Sequence, residues 1–300
     1  MDAVIQTHNL TKFYGKARGV IDLDLDVPAG EVFGFLGPNG AGKTTAIRLL
    51  MDFIRPTRGS ISIFGLDAHR DSLAIRKRVG NLPGEWSLYG NLTGEEVLRY
   101  LAGLRKNVDW SFVRRLAERL QADLSRPTRT YSHGNKQKIG LIAAFMAQAD
   151  LMILDEPTTG LDPLMQQEFY QLVAEVKAEG RTVFLSSHIL PEVERTCDRV
   201  GIIRAGQLVA VESIAAIKAK SLRRVEIRFA SAVPRAAFES IPGVRDLHIA
   251  NSRLTCTLAG EMDALVKTAA QQHVIDFEAH QANLEDVFLA FYEKEANHAQ

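Results

Sequence analysis

Cysteine is scarce in this chain, and the charged residues show no excess of either sign. The two cysteines, Cys197 and Cys256, lie far apart and form no C-x-x-C pair, which fits free, buried thiols in a reducing compartment better than a disulfide framework or a zinc site. Lysine plus arginine equals aspartate plus glutamate, at 36 residues each. We therefore expect no nucleic-acid partner and no charge-driven attachment to a lipid surface.

Long apolar runs are also absent. The longest apolar region, residues 141–154, is interrupted by Gln148 and Asp150 and falls short of the roughly 20 apolar residues that cross a bilayer. Residues 1–10 include Asp2, His8 and Asn9 and have no apolar segment typical of a secretory signal. We expect a soluble, cytoplasmic protein whose attachment to a membrane depends on a partner.

The most informative feature that the sequence does contain is a complete phosphate-binding loop. Residues 37–45 match G-x-x-x-x-G-K-[ST] and lie between an apolar segment, 31–36, and a segment with helical apolar spacing, 44–53. The glycines leave backbone N–H groups open to phosphate oxygens, Lys43 is placed to contact the β- and γ-phosphates, and the Thr44 hydroxyl to bind Mg²⁺. The flanking strand and helix disfavour the alternative, an ordinary glycine-rich turn. The predicted nucleotide contacts are Gly37, Pro38, Asn39, Gly40, Ala41, Gly42, Lys43, Thr44 and Thr45.

A second motif follows another apolar segment. Residues 151–154 are apolar and run directly into Asp155 and Glu156, as in a buried parallel strand that ends at the ligand-binding edge of an open sheet. Because neighbouring side chains of a strand point to opposite faces, the two acids are expected to have different roles. Asp155 is predicted to bind Mg²⁺ together with Thr44, and Glu156 to polarise the attacking water as a general base. A polar turn after a strand is the alternative.

Between these two motifs lies a segment that resembles a family signature. Residues 131–137, Tyr-Ser-His-Gly-Asn-Lys-Gln, resemble the LSGGQ-x-Q sequence of ABC-type ATPases. Ser132 is predicted to cap the helix that follows, whose positive N-terminal end suits a phosphate. The resemblance implies that Ser132 and Gly134 contact nucleotide. The alternative is a capped helix that binds nothing. The position of this segment, just before the strand that ends at Asp155, disfavours that alternative.

The same resemblance implies roles for three further residues. Tyr14 matches the aromatic residue that stacks on adenine, and Asp162 lies in a segment similar to the loop that crosses to the opposite subunit. His188 follows the apolar segment 183–187 and matches the histidine that senses the γ-phosphate. For Tyr14 and His188 the alternative is an ordinary structural side chain.

One position departs from the family pattern. Where the family has a hinge glutamine, the segment 81–85 places Gly84, which has no amide to offer to metal or water. Glu85 either replaces that glutamine as a Mg²⁺ ligand or is a solvated loop acid, and the sequence leaves both readings open. The signature also departs, with His133 in place of a glycine.

The chain shows no internal repeat, and 300 residues with 46% apolar content predict about two domains. The predicted fold class is α/β, with a P-loop ABC ATPase core over residues 1–215 and a helical subdomain inserted at about 86–148. A capping box at Thr93 and Glu96 opens one helix of this insert, and residues 109–120 form the next. A small α+β domain over 220–300 has a βαββαβ order that reads as ferredoxin-like, followed by a helix at 284–293.

The resemblance implies a function for the whole chain. It implies an ATP-binding and ATP-hydrolysing subunit that uses ATP and Mg²⁺, pairs with a second copy or a homologue, and drives a separate membrane permease. Residues 283–289 are similar to the end of the exporter subfamily that handles drugs and polysaccharides, and the hinge loop around 84–90, with Trp86 and Tyr89, would contact the permease on the cytoplasmic face.

The sequence disfavours two alternative functions. A soluble ABC ATPase acting on ribosomes or DNA is disfavoured, since the chain carries one cassette and no long heptad helices. A nucleotide-binding regulator that is not coupled to transport is disfavoured by the intact Lys43, Asp155, Glu156 and His188, although Gly84 keeps it open.

Overall fold

The computed structural model describes residues 3–85, 89–105, 108–220 and 223–281, which divide into two compact units, Met1–Glu212 and Ser213–Gln300. Three predicted features lie outside the described residues: Trp86 of the hinge loop, the exporter-like segment 283–289 and the final helix at 284–293. Within the described ranges, no helix combines the length and the apolar character that a membrane span requires. Cys197 and Cys256 are free and buried, as predicted.

The first unit is built from two sheets with helices packed around them. Its strands are β1 (Ala3–Tyr14), β2 (Ala17–Pro28), β3 (Val32–Leu36), β4 (Arg58–Ile63), β5 (Leu66–Asp67), β6 (Val79–Leu82), β7 (Leu151–Asp155), β8 (Thr182–Ser187), β9 (Arg199–Arg204) and β10 (Gln207–Ser213). Its helices are α1 (Lys43–Leu50), α2 (Ser72–Lys77), α3 (Gly94–Gly103), α4 (Trp110–Arg119), α5 (His133–Phe145), α6 (Pro163–Ala178) and α7 (Leu190–Thr196).

A six-stranded sheet in the order β10-β9-β3-β8-β7-β6 forms the centre of this unit, and β3, β6, β7, β8 and β9 pair in parallel. Every residue of β3, β7 and β8 is buried, which explains why their sequences are nearly continuous apolar runs. The rings of Phe33 and Phe184 stack across neighbouring strands at 5.8 Å. The carboxyl ends of β3, β7 and β8 therefore meet at one edge, where the predicted site residues begin.

The helical segment between β6 and β7 starts as the sequence predicts. Thr93 caps α3, and the reciprocal bonds of the capping box with Glu96 are both present. The Asp109 carboxylate accepts a hydrogen bond from the Ser111 N–H at the start of α4. Arg119, at the end of α4, pairs with Glu168 and Glu175 of α6, which ties this segment to the rest of the unit.

The second sheet of the first unit is antiparallel, in the order β2-β1-β4-β5. In β2, apolar residues on the buried side alternate with Asp22, Asp24 and Asp26, so that one face packs on the core and the other meets solvent. The strand β1 ends at Tyr14, whose ring lies near the end of the phosphate loop, as described below.

The second unit has its own apolar core. After α8 (Ile214–Lys220) come β11 (Arg223–Phe229), α9 (Ala236–Glu239), β12 (Val244–Ala250), β13 (Arg253–Leu258), α10 (Asp263–Ala269) and β14 (Val274–Gln281). The strands pair antiparallel in the order β12-β13-β11-β14 around buried side chains such as Phe229, Phe238 and Leu265. This order and pairing confirm the predicted ferredoxin-like βαββαβ arrangement over residues 223–281.

Candidate functional site

The phosphate loop connects β3 to α1, as its motif predicts. At Gly37, a Cβ atom would lie 2.3 Å from the carbonyl oxygen of Ile203, so only glycine fits there. Gly42 precedes α1 with a φ of 111°, a left-handed conformation that glycine adopts readily. No side chain caps α1, so its first N–H groups remain available for an anion.

Lys43 lies at the centre of the site. Its side chain is 4% exposed, and its Nζ donates to the carbonyl oxygens of Gly37, at 2.8 Å, and Pro38, at 3.2 Å. The same Nζ lies 3.3 Å from Oε1 of Glu156. The ammonium group thus joins the phosphate loop to the predicted general base.

Asp155 ends β7 and is 1% exposed. Its Oδ1 accepts a hydrogen bond from the Ser186 hydroxyl at 2.5 Å, which fixes the carboxylate. Asp155 and Thr44 line one cavity of about 360 Å³, so the two predicted Mg²⁺ ligands face the same space. Ser186 had no role in the sequence analysis, because a serine inside an apolar strand carries no signal until the strands are paired.

The backbone conformation of Glu156, which directs its side chain into the site, was not predicted from the sequence. The expectation that strand alternation separates it from Asp155 was wrong, because β7 ends at Asp155 and Glu156 has a left-handed backbone with a φ of 47°. Its N–H group is held by the carbonyl and the hydroxyl oxygens of Ser186, at 3.2 and 3.0 Å. A turn in the backbone therefore directs the side chain.

His188 and Glu156 meet, although they are far apart in the sequence. His188 follows β8, and its Nδ1 lies 3.3 Å from Oε2 of Glu156. Because Lys43 contacts the other carboxylate oxygen, Glu156 lies between a lysine and a histidine. The structure thus brings together the three residues predicted as catalytic.

The signature-like segment forms the start of α5. Ser132 caps this helix by accepting a hydrogen bond from the Asn135 N–H at 3.2 Å, as predicted. The Asn135 side chain bonds both backbone groups of Asp123, at 2.9 and 3.0 Å. A Cβ on Gly134 would lie 2.6 Å from the carbonyl oxygen of Gly160, so this glycine allows close contact with the loop before α6.

A buried glutamine connects α5 with the end of β7. Gln137 is 5% exposed, and its Nε2 donates to the carbonyl oxygens of Glu156, at 3.2 Å, and Pro157, at 2.9 Å. Gln137 and His133 also line the cavity that contains Asp155 and Glu156. Gln137 was within the recognised signature but was assigned no role, since its partners are backbone groups that only the fold brings near.

Two other predicted residues occupy surface positions. Tyr14 is 45% exposed, and a Cβ on Gly19 would lie 2.8 Å from Thr45 Cγ2 and 3.2 Å from Tyr14 Cε2. Gly19 therefore lets the ring approach the end of the phosphate loop. Asp162 caps α6 by accepting from the Met165 N–H at 3.0 Å.

The departure at the hinge has a steric basis. A Cβ on Gly84 would lie 2.7 Å from Oδ2 of Asp155, so a larger side chain here would displace that carboxylate. Glu85 lines the same cavity, but its side chain is 91% exposed and its Oε2 lies 3.9 Å from Nη2 of Arg48. Glu85 thus lies at the rim of the site.

The glycine-rich loop joins β3 to α1, and Asp155 ends β7, which is separated from β3 by β8. This arrangement is the nucleotide site of a P-loop ATPase. Residues 20–159 match the family described as "ABC transporter". The chain is 38% identical to the bacitracin transport ATP-binding protein BcrA of Enterococcus faecalis over 229 residues, which cover 75% of this chain and 74% of that protein. It belongs to the ABC transporter ATP-binding family and is an ATPase subunit of that family.

Further similarities extend this result. The daunorubicin/doxorubicin resistance ATP-binding protein DrrA of Streptomyces peucetius is 32% identical over 303 residues, 95% of this chain and 91% of that protein. A solved ATP-binding subunit of an ABC transporter superposes with a TM-score of 0.65 at 33% identity, covering 72% of this chain and 92% of that one. The dimeric cassette MJ0796, with ADP and phosphate bound, has a TM-score of 0.63 at 20% identity over 70% of this chain and 98% of that one, and shares the fold.

Proposed function

We propose that this subunit hydrolyses ATP as its Mg²⁺ complex, in a pair with a second copy or a homologue, and thereby drives export through a separate permease at the cytoplasmic face of the membrane. The observation that carries the proposal is the meeting of Lys43, Glu156 and His188 at one edge of the parallel sheet. Phosphoryl transfer to water needs a cation for the phosphates and a group that orients the water. In this proposal Lys43 supplies the first and Glu156 the second.

The oxygen groups of the site fit a magnesium ion. The Thr44 hydroxyl and the Asp155 carboxylate line one cavity, and Mg²⁺ is usually held by one or two carboxylates together with substrate phosphates. The ion supplies charge that neutralises the β- and γ-phosphate oxygens when it is bound. The hydrogen bond from Ser186 keeps Asp155 oriented for this task, and Glu85 would reach the water shell of the ion from the rim.

The remaining roles concern the nucleotide. The N–H groups of residues 37–45 would hold the phosphates, Tyr14 would stack on the base, and His188 would contact the γ-phosphate beside Glu156. The exposed ring of Tyr14, next to Thr45, supports its part in this assignment.

A second copy would complete the site. Ser132 and Asp162 are exposed, and the cavity around Asp155 is lined by His133 and Gln137 of α5 but, among the described residues, not by Ser132 or Gly134. Their assignment to nucleotide binding therefore requires the phosphate loop of another subunit. The dimeric form of the MJ0796 cassette supports this arrangement.

An exposed apolar surface near the hinge would meet the permease. Tyr89 is 59%, Tyr100 49% and Leu104 69% exposed, and the rings of Tyr89 and Tyr100 pack edge to face at 5.6 Å. Tyr100 and Leu104 are four residues apart, so they lie on one side of α3. Clustered exposed apolar side chains are typical of protein contacts. We call Tyr89, Tyr100 and Leu104 the hinge surface.

The proposed cargo is inferred from the names of the relatives, and the proposed role of the second unit from its having a core of its own. The names of the relatives refer to bacitracin, to daunorubicin and doxorubicin, and to linearmycin, which favours an antibiotic-like compound as the exported cargo. The cassette over residues 1–215 would carry the ATPase, while the unit over residues 220–300 would act as an accessory domain that supports the pair or regulates it.

The test is co-purification and transport with a candidate permease, a co-expressed membrane protein of about six apolar spans. We expect Leu104→Asp combined with Tyr100→Asp to abolish binding to the permease and ATP-dependent transport in liposomes, while the isolated subunit still hydrolyses ATP. Leu73→Asp, at a residue that is 75% exposed on α2, is the matched control and should change neither. Hydrolysis by a chain that binds no permease would instead favour the soluble ATPase.

A further inference from the structure

A third carboxyl group lies beside the catalytic residues. Glu192, in the first turn of α7, is only 2% exposed. Glutamate side chains are almost never buried to this extent unless they are paired. Within the described ranges, no lysine or arginine lies at ion-pair distance from Glu192. Its burial therefore calls for another explanation than a salt bridge.

The contacts of Glu192 join the segments that carry the catalytic pair. Its Oε2 lies 2.5 Å from the hydroxyl of Ser187, the residue before His188. The buried hydroxyl of Thr158, two residues after Glu156, lies near enough to lower the pKa of the same carboxyl group. The backbone carbonyl of Ser187 accepts a hydrogen bond from the N–H of Gly37 at 3.2 Å, so the same segment adjoins the phosphate loop.

The surroundings of Glu192 shift its pKa. Burial raises the pKa of Glu192, the hydroxyls of Ser187 and Thr158 and the nearby His188 lower it to a smaller extent, and the negative charge of Glu156 raises it further. Its Oε1 is buried and makes no hydrogen bond within the described part of the chain, which also disfavours a charge there. The surroundings of Glu192 therefore disfavour a second negative charge beside Glu156.

We propose that Glu192 is a positioning residue for ATP hydrolysis, whose buried carboxyl group binds the Ser187 hydroxyl and so holds the end of β8, with His188, beside the turn after Glu156. The 3.3 Å contact between Glu156 and His188 spans these two segments, so its geometry depends on the link between them. The inference rests on the proposed roles of Glu156 and His188.

The test uses the full chain with Glu192→Ala and Glu192→Gln. Turnover is measured per bound ATP, so that a loss of folded protein does not count as a loss of catalysis. We expect Glu192→Ala to lower kcat by about ten- to hundredfold, since small misplacements of reacting groups have effects of that order, while the Kd for ATP changes by less than about threefold. Glu192→Gln, which keeps an oxygen that can accept the Ser187 hydrogen bond, should retain most of kcat.

The matched control is Val193→Ala. Val193 is fully buried on the same helix, packs beside Gly34 and has no polar side-chain atom. Its truncation should lower Tm without changing kcat per bound ATP. If Glu192→Ala does not fold, Thr158→Val tests the same link from the other side and should show the same loss of kcat at constant ATP affinity.

Three results would overturn the inference. The first is a wild-type kcat in Glu192→Ala or, if that variant does not fold, in Thr158→Val. The second is an equal loss of kcat in Glu192→Ala and Glu192→Gln, which would mean that the negative charge is needed. The third is a fall in kcat with Val193→Ala as large as that with Glu192→Ala. Glu156→Gln in the same assay separates the two proposals. If that variant is inactive while Glu192→Ala is active, only the role of Glu192 fails.

Discussion

At the scale of single residues, the proposed general base Glu156 gives the most direct test of the chemistry. Its carboxylate lies between Lys43 and His188, so replacing it with an amide preserves its size but removes the base. We expect Glu156→Gln to bind ATP with unchanged affinity and to hydrolyse it about 10²- to 10⁴-fold more slowly. Size-exclusion chromatography with ATP should show a stable dimer, because hydrolysis no longer separates the subunits.

The control for this prediction is Glu118→Gln, at an exposed position on α4, which should leave turnover unchanged. Hydrolysis at the wild-type rate in Glu156→Gln would remove Glu156 from the role of general base.

The hinge provides a second prediction at this scale. Gly84 touches the Asp155 carboxylate, so the glutamine of the family pattern does not fit here without moving Asp155, and Glu85 is the neighbouring acid at the cavity rim. We expect Glu85→Ala to lower turnover at saturating ATP and to raise the Mg²⁺ concentration that gives half-maximal activity. Nucleotide binding without metal should not change.

Titrations of activity against Mg²⁺, with the subunit bound to its permease, measure this effect. Glu118→Ala serves as the control for removing an exposed carboxylate. An unaltered Mg²⁺ response in Glu85→Ala would show that Glu85 is a solvated surface acid, which its 91% exposure also allows.

At the scale of secondary structure, the sequence predicts elements well wherever the pattern is local. The capping box at Thr93 and Glu96, the apolar strands β3, β7 and β8, and the ferredoxin-like order all follow from short-range spacing. The helices of the second unit are shorter than predicted, because end residues such as Gln271 lie in turns.

The site is less predictable, since several of its contacts are made between elements. The left-handed backbone of Glu156, the bonds of Gln137 to two carbonyl oxygens and the burial of Glu192 all depend on which strands and helices become neighbours. A sequence motif identifies the residues of a site, whereas the groups that hold those residues in place are brought together only by tertiary packing.

At the scale of the whole molecule, each of the two units has an apolar core of its own. Domain boundaries are crossed by few contacts, so we expect a chain that ends after Ser213, the last residue of β10, to remain soluble and to bind ATP. The function lost should be regulation or support of the pair. Thermal unfolding and ATP binding, compared with the full chain, measure this outcome, and an insoluble fragment would place the boundary elsewhere.

Under the proposed roles of Lys43 and Glu156, the contact between them would order the steps of the reaction. The lysine that must receive the phosphates also neutralises the carboxylate that must activate water. A γ-phosphate that attracts Lys43 would take this cation away from Glu156, so the proposed base would become effective only when ATP is bound. Bound ATP would thereby activate the general base that its own hydrolysis requires.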